Sequence, residues 1–216
     1  MRKFLFIALV ILLPTASNAQ VDLSAGMGIN FINTSSLTDY INMNFAPASD
    51  QLATFNTQVG FFGECDYSLS PNFQLGLEYV YSIYSFNTSY CGIGTYDLSL
   101  NIHNPSALAY YVVNGEGYKF KFGGGAGLRL ASLEEQLPAT TQAVDYSSTG
   151  FGLLLKIVGN TRLGGNIYAY IAGDARYDFV GEPESDGKKL TNNSLDENVN
   201  ANSLSVGIKL GISIFL

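Results

Sequence analysis

The chain has 216 residues, of which 47% are hydrophobic and 13% are charged, with 14 Tyr, 14 Phe, no Trp and a net charge of −7. Such a chain is too apolar and aromatic to be disordered, and its two cysteines are too few for a small scaffold built on disulfides. It is also acidic and lacks basic clusters, so we expect no nucleic-acid partner and one folded domain, at most two.

The N-terminus has the three-part layout of a secretory signal peptide. Arg2 and Lys3 form a basic start, residues 4–13 are an unbroken apolar run, and Ser17-Asn18-Ala19 supplies small residues before Gln20. The run has ten residues, whereas a membrane-spanning helix needs about 20. We therefore predict a cleaved signal peptide at 1–19, which directs export, and a single domain at 20–216.

The remainder of the chain alternates apolar and polar residues with a period of two, which is typical of β-strands with one apolar face. The alternation is clearest in the last segment, SLSVGIKLGISIFL (203–216). In chain order, the pattern predicts eight strands at 21–32, 55–69, 73–86, 95–112, 118–132, 149–158, 166–180 and 203–216. Pro105 interrupts the fourth strand and predicts a bulge or bend there.

The connections between these strands alternate in length. Long polar connections at 33–54, 87–94, 133–148 and 181–202 alternate with short turns at 70–72, 114–117 and 159–165. This order is typical of an up-and-down meander with both termini at the end of the short turns. The strands are long enough for the ~9–11 tilted residues that cross a bilayer.

The two faces of the strands predict which side meets lipid. The apolar face is continuous and bulky, as expected of a surface against lipid, while the polar face combines small residues with charges of both signs, which suits a narrow lumen. We predict an interior ionic network formed by these residues: Glu64, Asp66, Glu78, Asp97, Lys119, Lys121, Arg129, Lys156, Asp174, Arg176 and Lys209. The alternative is the solvated outer face of a soluble barrel.

The signal ending SNA/Q, the eight alternating segments, the glycine-rich strand YKFKFGGGAGLRL and the closing strand SLSVGIKLGISIFL resemble the small bacterial outer-membrane β-barrel family. The resemblance is to the OmpA-like transmembrane domain and to porin-like barrels. It implies an all-β, eight-stranded antiparallel up-and-down transmembrane β-barrel in the outer membrane of a Gram-negative bacterium.

The same resemblance implies that the last strand is read by the barrel-assembly machinery. The candidate residues for that signal are Leu210, Ile212, Ile214, Phe215 and Leu216. Family members usually end in an aromatic residue, whereas Phe215 is penultimate here. We expect no peptidoglycan-binding domain after the barrel, so the resemblance does not imply a wall-anchoring role.

Few residues suggest catalysis or ligand binding. His103 is the single histidine, and Ser106 could approach it across Pro105, as a hydrolase or acyltransferase would require. The glycine run 123–127 lies inside a strand, without the following helix that a phosphate loop needs. Cys65 and Cys91 are predicted at different heights, too far apart for a disulfide. We expect no catalytic site, no cofactor and no metal.

The predicted function is therefore that of a barrel with a filled interior, acting through its surface loops in adhesion, recognition or envelope integrity. Its partners would be outer-membrane lipid, the barrel-assembly machinery during insertion, and an extracellular ligand of loops 33–54, 133–148 and 181–202. The alternatives are a narrow porin-like channel or small-solute transporter, a lipid-modifying enzyme, and a soluble exported barrel that binds an apolar ligand.

Overall fold

The computed structural model describes residues 21–47, 49, 51–90, 92 and 94–216. The signal peptide predicted at 1–19 lies outside the described residues. The elements in chain order are β1 (Val21–Asn33), α1 (Ser35–Asn44), β2 (Asn56–Ser70), β3 (Phe73–Tyr90), β4 (Gly94–Gly115), β5 (Tyr118–Gln136), β6 (Val144–Gly164), β7 (Ile167–Phe179), β8 (Glu184–Ser185), β9 (Lys188–Lys189), β10 (Thr191–Asn192), β11 (Glu197–Asn198) and β12 (Ser203–Phe215).

Eight of these strands form a closed antiparallel barrel. Each of the first six strands pairs with the next in the chain, and β12 pairs with both β7 and β1, which closes the ring. Closure leaves no unpaired edge, so all backbone polar groups of the wall can bond within the sheet. The prediction of an all-β, eight-stranded antiparallel barrel is confirmed.

The three short turns and the two ends of the barrel domain lie at one end, which we call the lower end. The backbone N–H of Leu216 donates to the carbonyl of Val21 at 2.9 Å, so the first and last strands meet there. Gly117 has a φ of +79° in the turn between β4 and β5, a conformation that favours glycine. The long connections lie at the opposite, upper end.

Strands β3 to β6 extend further at the upper end than the sequence predicts. Most of the predicted loops 87–94 and 133–148 continue the strands, with Thr88 paired to Tyr96 and Glu134 to Asp145. Only residues 137–143 remain as a connection between β5 and β6. Four neighbouring strands therefore form a wall that rises above the rest of the barrel.

The polarity of the inner and outer faces of this wall is reversed between its lower and upper parts. In β5 the inward residues are Lys121 and Arg129 in the lower part but Ala131 and Leu133 in the upper part, and all four are buried. Outward residues change in the opposite sense, from large apolar side chains to the exposed Glu134. The lower barrel thus has an apolar belt around a polar lumen, whereas the upper wall has a polar surface around an apolar core.

A helix that the sequence analysis did not predict covers the upper mouth. Leu37, Tyr40 and Ile41 lie at helical spacing on one face of α1, and all three are buried. They pack with Leu190 and Val199 of the long connection between β7 and β12 and with these wall residues: Tyr84, Tyr96, Leu98, Leu100, Ile102, Ala131 and Leu133. We call α1, residues 180–202 and the upper wall the cap.

Pro105 does not produce the predicted bulge. Asn104 and Pro105 lack partners in β5, but His103 pairs with Leu130 and Ser106 with Gly127 in one unbroken register. No extra residue is inserted, because proline removes a backbone donor without changing the spacing of the strand. Within the described part of the chain, no helix has the length and hydropathy needed to cross a membrane.

Candidate functional site

The lumen of the lower barrel holds buried charges of both signs. The six carboxylates are Asp22, Glu64, Asp66, Glu78, Asp174 and Asp178, and the six cations are Lys119, Lys121, Arg129, Lys156, Arg176 and Lys209. A buried charge is tolerated only when it is paired and hydrogen-bonded. The equal numbers allow this, and we call these twelve side chains the ionic network.

The lowest layer of the network gathers around Asp22. Lys119 and Lys121 donate to its carboxylate at 2.9 and 2.8 Å, and the amide of Gln74 donates at 2.9 Å. Lys121 also donates to Asp66 at 2.6 Å. Asp22 is the second residue of β1 and the lysines belong to β5, so these bonds cross the lumen between strands far apart in the sheet.

The middle layer is built on Glu64 and Glu78, which face each other on β2 and β3. Like charges in directly opposed positions are unfavourable, but Lys156 lies between them. Its ammonium group donates to Glu64 at 2.6 Å and also to Glu78. The hydroxyl groups of Tyr110 and Tyr170 donate to Glu64 at 2.6 and 3.0 Å.

Glu78 also binds two further cations in this layer. Arg176 donates to it at 2.6 Å and Lys209 at 2.8 Å, and both of these cations also contact Asp174. Charged side chains from five strands therefore meet in the lumen. Such a cross-linked layer leaves little room for a continuous aqueous path.

The upper layer lies just below the cap. The guanidinium of Arg129 donates to Asp178 and, at 3.1 Å, to the hydroxyl of Ser106. Gly152 makes room for this pair, because a side chain there would overlap both partners. Above it, the core of the cap is apolar.

The structure brings together all but one of the residues predicted for the interior. The prediction that Asp97 faces the interior is wrong. This residue lies on the outer face of the upper wall, where it accepts a hydrogen bond from Asn87. Its neighbours Tyr96 and Leu98 point inward and are buried. The outer surface meets water at this height, so polar residues face outward there.

Two members of the network were missed. Asp178 has the same inward parity as Asp174 and Arg176 on β7, whereas no residue of β1 was predicted for the network. Both Asp22 and Asp178 lie near a strand end, next to a connection. Parity alone would have identified Asp22, which follows Val21 and precedes Leu23 on an alternating strand. Its role depends on the reach of lysines from β5, which the sequence does not show.

The cap contains one buried carboxyl group, Glu135. The hydroxyl groups of Tyr40 and Tyr96 donate to its Oε1 atom at 2.7 and 2.8 Å, which ties α1 to the wall. Burial away from water, with Glu135 close by, raises the pKa of Tyr40 above its usual value. Tyr40 is therefore a neutral hydrogen-bond donor at physiological pH.

His103 and Ser106 do not form a catalytic pair. His103 is exposed on the outer face, whereas Ser106 is buried in the lumen beside Arg129. Residues three apart on a strand point to opposite faces, so Ser106 cannot reach His103 across Pro105 as considered above. Instead, Nδ1 of His103 lies 2.6 Å from the hydroxyl oxygen of Tyr79.

The remaining candidate residues lie apart from the lumen. Cys65 is exposed on the apolar belt, while Cys91 lies outside the described residues, so the absence of a disulfide stays a prediction. Among the residues described, no three His, Cys, Asp or Glu side chains are placed to hold a metal ion together.

The residues predicted as an assembly signal form the last part of β12 and the C-terminal residue that follows it. Leu210, Ile212, Ile214 and Leu216 are exposed on the belt. Phe215 points toward the lower rim instead, where its ring stacks on Tyr168 and lies 3.9 Å from the ammonium group of Lys119.

No family model and no curated protein matches this chain. Among solved structures, it is similar to Ail, the attachment invasion locus protein of Yersinia pestis, in complex with the heparin analogue sucrose octasulfate. The identity is 11% and the TM-score 0.55, over 92% of this chain and 99% of that chain. A second structure of Ail has 13% identity and a TM-score of 0.51, with the same coverage of both chains.

It is also similar to a major outer membrane protein from Thermus thermophilus, with 15% identity and a TM-score of 0.52, over 91% of this chain and 99% of that chain. Identities this low are evidence of a shared fold alone. The chain therefore has the eight-stranded antiparallel barrel fold found in these outer-membrane proteins.

Proposed function

We propose that this protein is an integral outer-membrane barrel of a Gram-negative bacterium, closed to solutes, which acts through its extracellular cap. In this proposal residues 1–19 direct export and are removed. The barrel-assembly machinery then reads β12, with Leu210, Ile212, Ile214, Phe215 and Leu216 as its signal. The apolar belt would contact membrane lipid, as its exposed aliphatic and aromatic side chains favour.

The observation that carries this proposal is the ionic network beneath an apolar cap. Six carboxylates and six cations occupy the lumen in three layers, and α1 covers the mouth above them. Opening a path would require breaking buried ion pairs as well as displacing the apolar cap core. A structural barrier therefore fits the lumen better than a porin-like channel does.

The outer surface of the cap supports a role in recognition or adhesion. The wall raises it above the belt, and its residues around 133–148 and 181–202 are mostly polar, with exposed carboxylates such as Glu134 and Asp145. A polyanion such as the heparin analogue bound to Ail is disfavoured by this acidic surface. We propose a neutral or basic ligand at the cell surface, contacting the loops within 33–54, 133–148 and 181–202.

We propose further that the protein is not an enzyme. A lipid-modifying enzyme would need His103 and Ser106 together, whereas the two side chains lie on opposite faces of β4. If the protein does not modify lipids, cells carrying the variant His103→Ala should have the same lipid profile as cells carrying the wild-type protein. Altered lipid A or phospholipid composition in that variant would overturn this part of the proposal.

Orientation and membrane placement are tested by labelling in intact cells. In a background in which Cys65 and Cys91 are serine, Asp196→Cys places a thiol in the cap and Glu116→Cys places one in the turn between β4 and β5. A membrane-impermeant maleimide should label the first and not the second. Equal labelling of both variants, or recovery of the protein in the soluble periplasmic fraction, would refute the membrane placement.

Closure is tested by conductance in planar bilayers. The purified barrel should give no steady openings, because the network fills the lumen. Steady nanosiemens-scale openings would contradict the proposal and favour the channel or small-solute transporter.

A further inference from the structure

The apolar belt contains a groove on the side formed by β1 to β5. Its volume is about 660 Å³, and its lining includes Leu23, Gly63, Leu77, Ala107, Ala126 and Leu128. The three leucines are exposed on β1, β3 and β5, and Gly63, Ala107 and Ala126 are the small residues of the lining. Cys65 also lines the groove, on β2 between Leu23 and Leu77. Nothing lies within 4 Å of the position that a Cβ atom at Gly63 would occupy.

A polar pair stands at the upper end of this groove. Tyr79 and Pro105, which face each other on β3 and β4, line its top, and His103 follows on the same outer face. The hydroxyl oxygen of Tyr79 lies 2.6 Å from Nδ1 of His103, and the hydroxyl of Tyr81 donates to Asn101 at 3.2 Å. When Tyr79 donates to Nδ1, the ring proton lies on Nε2, which points away from Tyr79 as a free donor.

His103 also marks the upper edge of the belt. Below it on the outer face of β4 are Pro105, Ala107 and Ala109, and above it are Asn101 and Ser99. A group at His103 would therefore be at the depth of lipid headgroups, while the groove below it would be at the depth of acyl chains. The groove would suit the acyl chain of a lipid molecule, and the hydrogen-bond donor at its upper end would suit the headgroup of the same molecule.

We propose that this groove binds a phosphorylated membrane lipid in the leaflet on the cap side, with an acyl chain against Gly63, Ala107 and Ala126 and a phosphate oxygen accepting from His103 Nε2. The occupant is a lipid because the groove opens onto the belt, where hydrocarbon is the surrounding medium. The inference rests on the membrane placement proposed above and adds a specific lipid site to it.

The test is native mass spectrometry of the purified barrel in mild detergent. The two probes are dipalmitoyl phosphatidic acid and dipalmitoyl glycerol, which have the same chains and differ in the phosphate. We expect the phosphatidic acid to bind about tenfold more tightly, which is the contribution of one hydrogen bond to a charged group. His103→Ala should lower its affinity to that of the glycerol.

The groove is tested separately from the polar pair. Ala107→Phe fills the space between β3 and β5 and should weaken both probes. Ala169→Phe makes the same change on the outer face of β7, away from the groove, and should leave both affinities unchanged. Where Ala107→Phe does not give a folded barrel by heat-modifiable gel mobility, Gly63→Leu fills the other side of the groove and replaces it.

Equal binding of the two probes to the unaltered protein would overturn the proposal. Wild-type affinity in the groove-filling variant would also overturn it. Both results are distinguishable from failure of the proposed function, because surface labelling and conductance report membrane placement and closure without reference to this groove.

Discussion

The loss of the Lys156 side chain should destabilise the barrel, because its ammonium group separates two opposed carboxylates. Its ammonium group is buried and bonds both Glu64 and Glu78, which are direct cross-strand neighbours. Lys156→Met keeps most of the volume but leaves these carboxylates facing each other. Removing one partner of a buried ion pair costs about 3–5 kcal/mol, since the remaining charge is left uncompensated.

The contacts that Glu64 and Glu78 keep in Lys156→Met decide where its loss of stability falls within the range of about 3–5 kcal/mol. Glu78 keeps Arg176 and Lys209, whereas Glu64 keeps only the hydroxyl groups of Tyr110 and Tyr170. Glu64 is therefore the group left short of positive charge. We expect a loss near the lower end of the range, about 3 kcal/mol, which lowers the folded-to-unfolded ratio by about two orders of magnitude.

The assay is reversible urea unfolding in lipid vesicles, followed by heat-modifiable gel mobility. Lys189→Met removes the partner of Glu182 in an exposed ion pair of the cap and serves as the matched control, for which we expect no measurable change. The double variant Lys156→Met with Glu64→Gln removes the uncompensated charge and should recover part of the loss. Wild-type stability of Lys156→Met, or a double variant no better than the single one, would refute this reasoning.

Three further predictions concern the upper layer and the cap. Gly152→Ala should destabilise the barrel in the same assay, because its methyl group would overlap the guanidinium of Arg129, whereas Gly63→Ala, which enters open space, should be tolerated. Ile41→Ala should cost about 2–5 kcal/mol of cap stability, so limited proteolysis should cleave within α1 while gel mobility of the barrel is unchanged. The raised pKa of Tyr40 stabilises the closed cap at pH values below the usual tyrosine pKa of about 10, and this contribution is lost as the pH rises above that value. Proteolysis of the cap should therefore increase above about pH 10 in the unaltered protein, and an unchanged rate up to pH 12 would contradict the role of this hydroxyl group.

The sequence carries strong information about the wall of the barrel. Every strand alternates with a period of two, and in the lower barrel the charged residues share one parity, as in Lys119, Lys121 and Arg129 of β5. Parity decides which residues share a face, because successive side chains on a strand point to opposite sides. The number of barrel strands and the two sets of residues that share a face follow from that pattern.

The error at Asp97 shows where this reasoning stops. Parity groups residues into two faces, but the solvent on each side decides which face is polar. Above the belt, water surrounds the wall and α1 supplies an apolar filling, so Tyr96 and Leu98 turn inward and Asp97 outward. The strand is continuous through this change, and only the height of the residue relative to the belt explains it.

The helix was missed because its signal is short. Leu37, Tyr40 and Ile41 have helical spacing, but α1 has only ten residues, among them four Ser, Thr or Asp residues that also suit loops. Such a segment is helical because it packs on the mouth of the barrel. That mouth exists only when the eight strands have closed.

The sequence by itself predicted the order of the barrel strands and most of the charges that face the lumen, while the export signal at 1–19 stays a prediction. Tertiary structure alone decided which charges meet: Lys119 reaches Asp22 across 97 residues, and Lys156 reaches Glu64 across 92. It also decided that His103 joins Tyr79 instead of Ser106. The physical reason is that alternation sets only the face of each side chain, whereas contacts across the lumen and along the belt depend on the register and closure of the whole sheet.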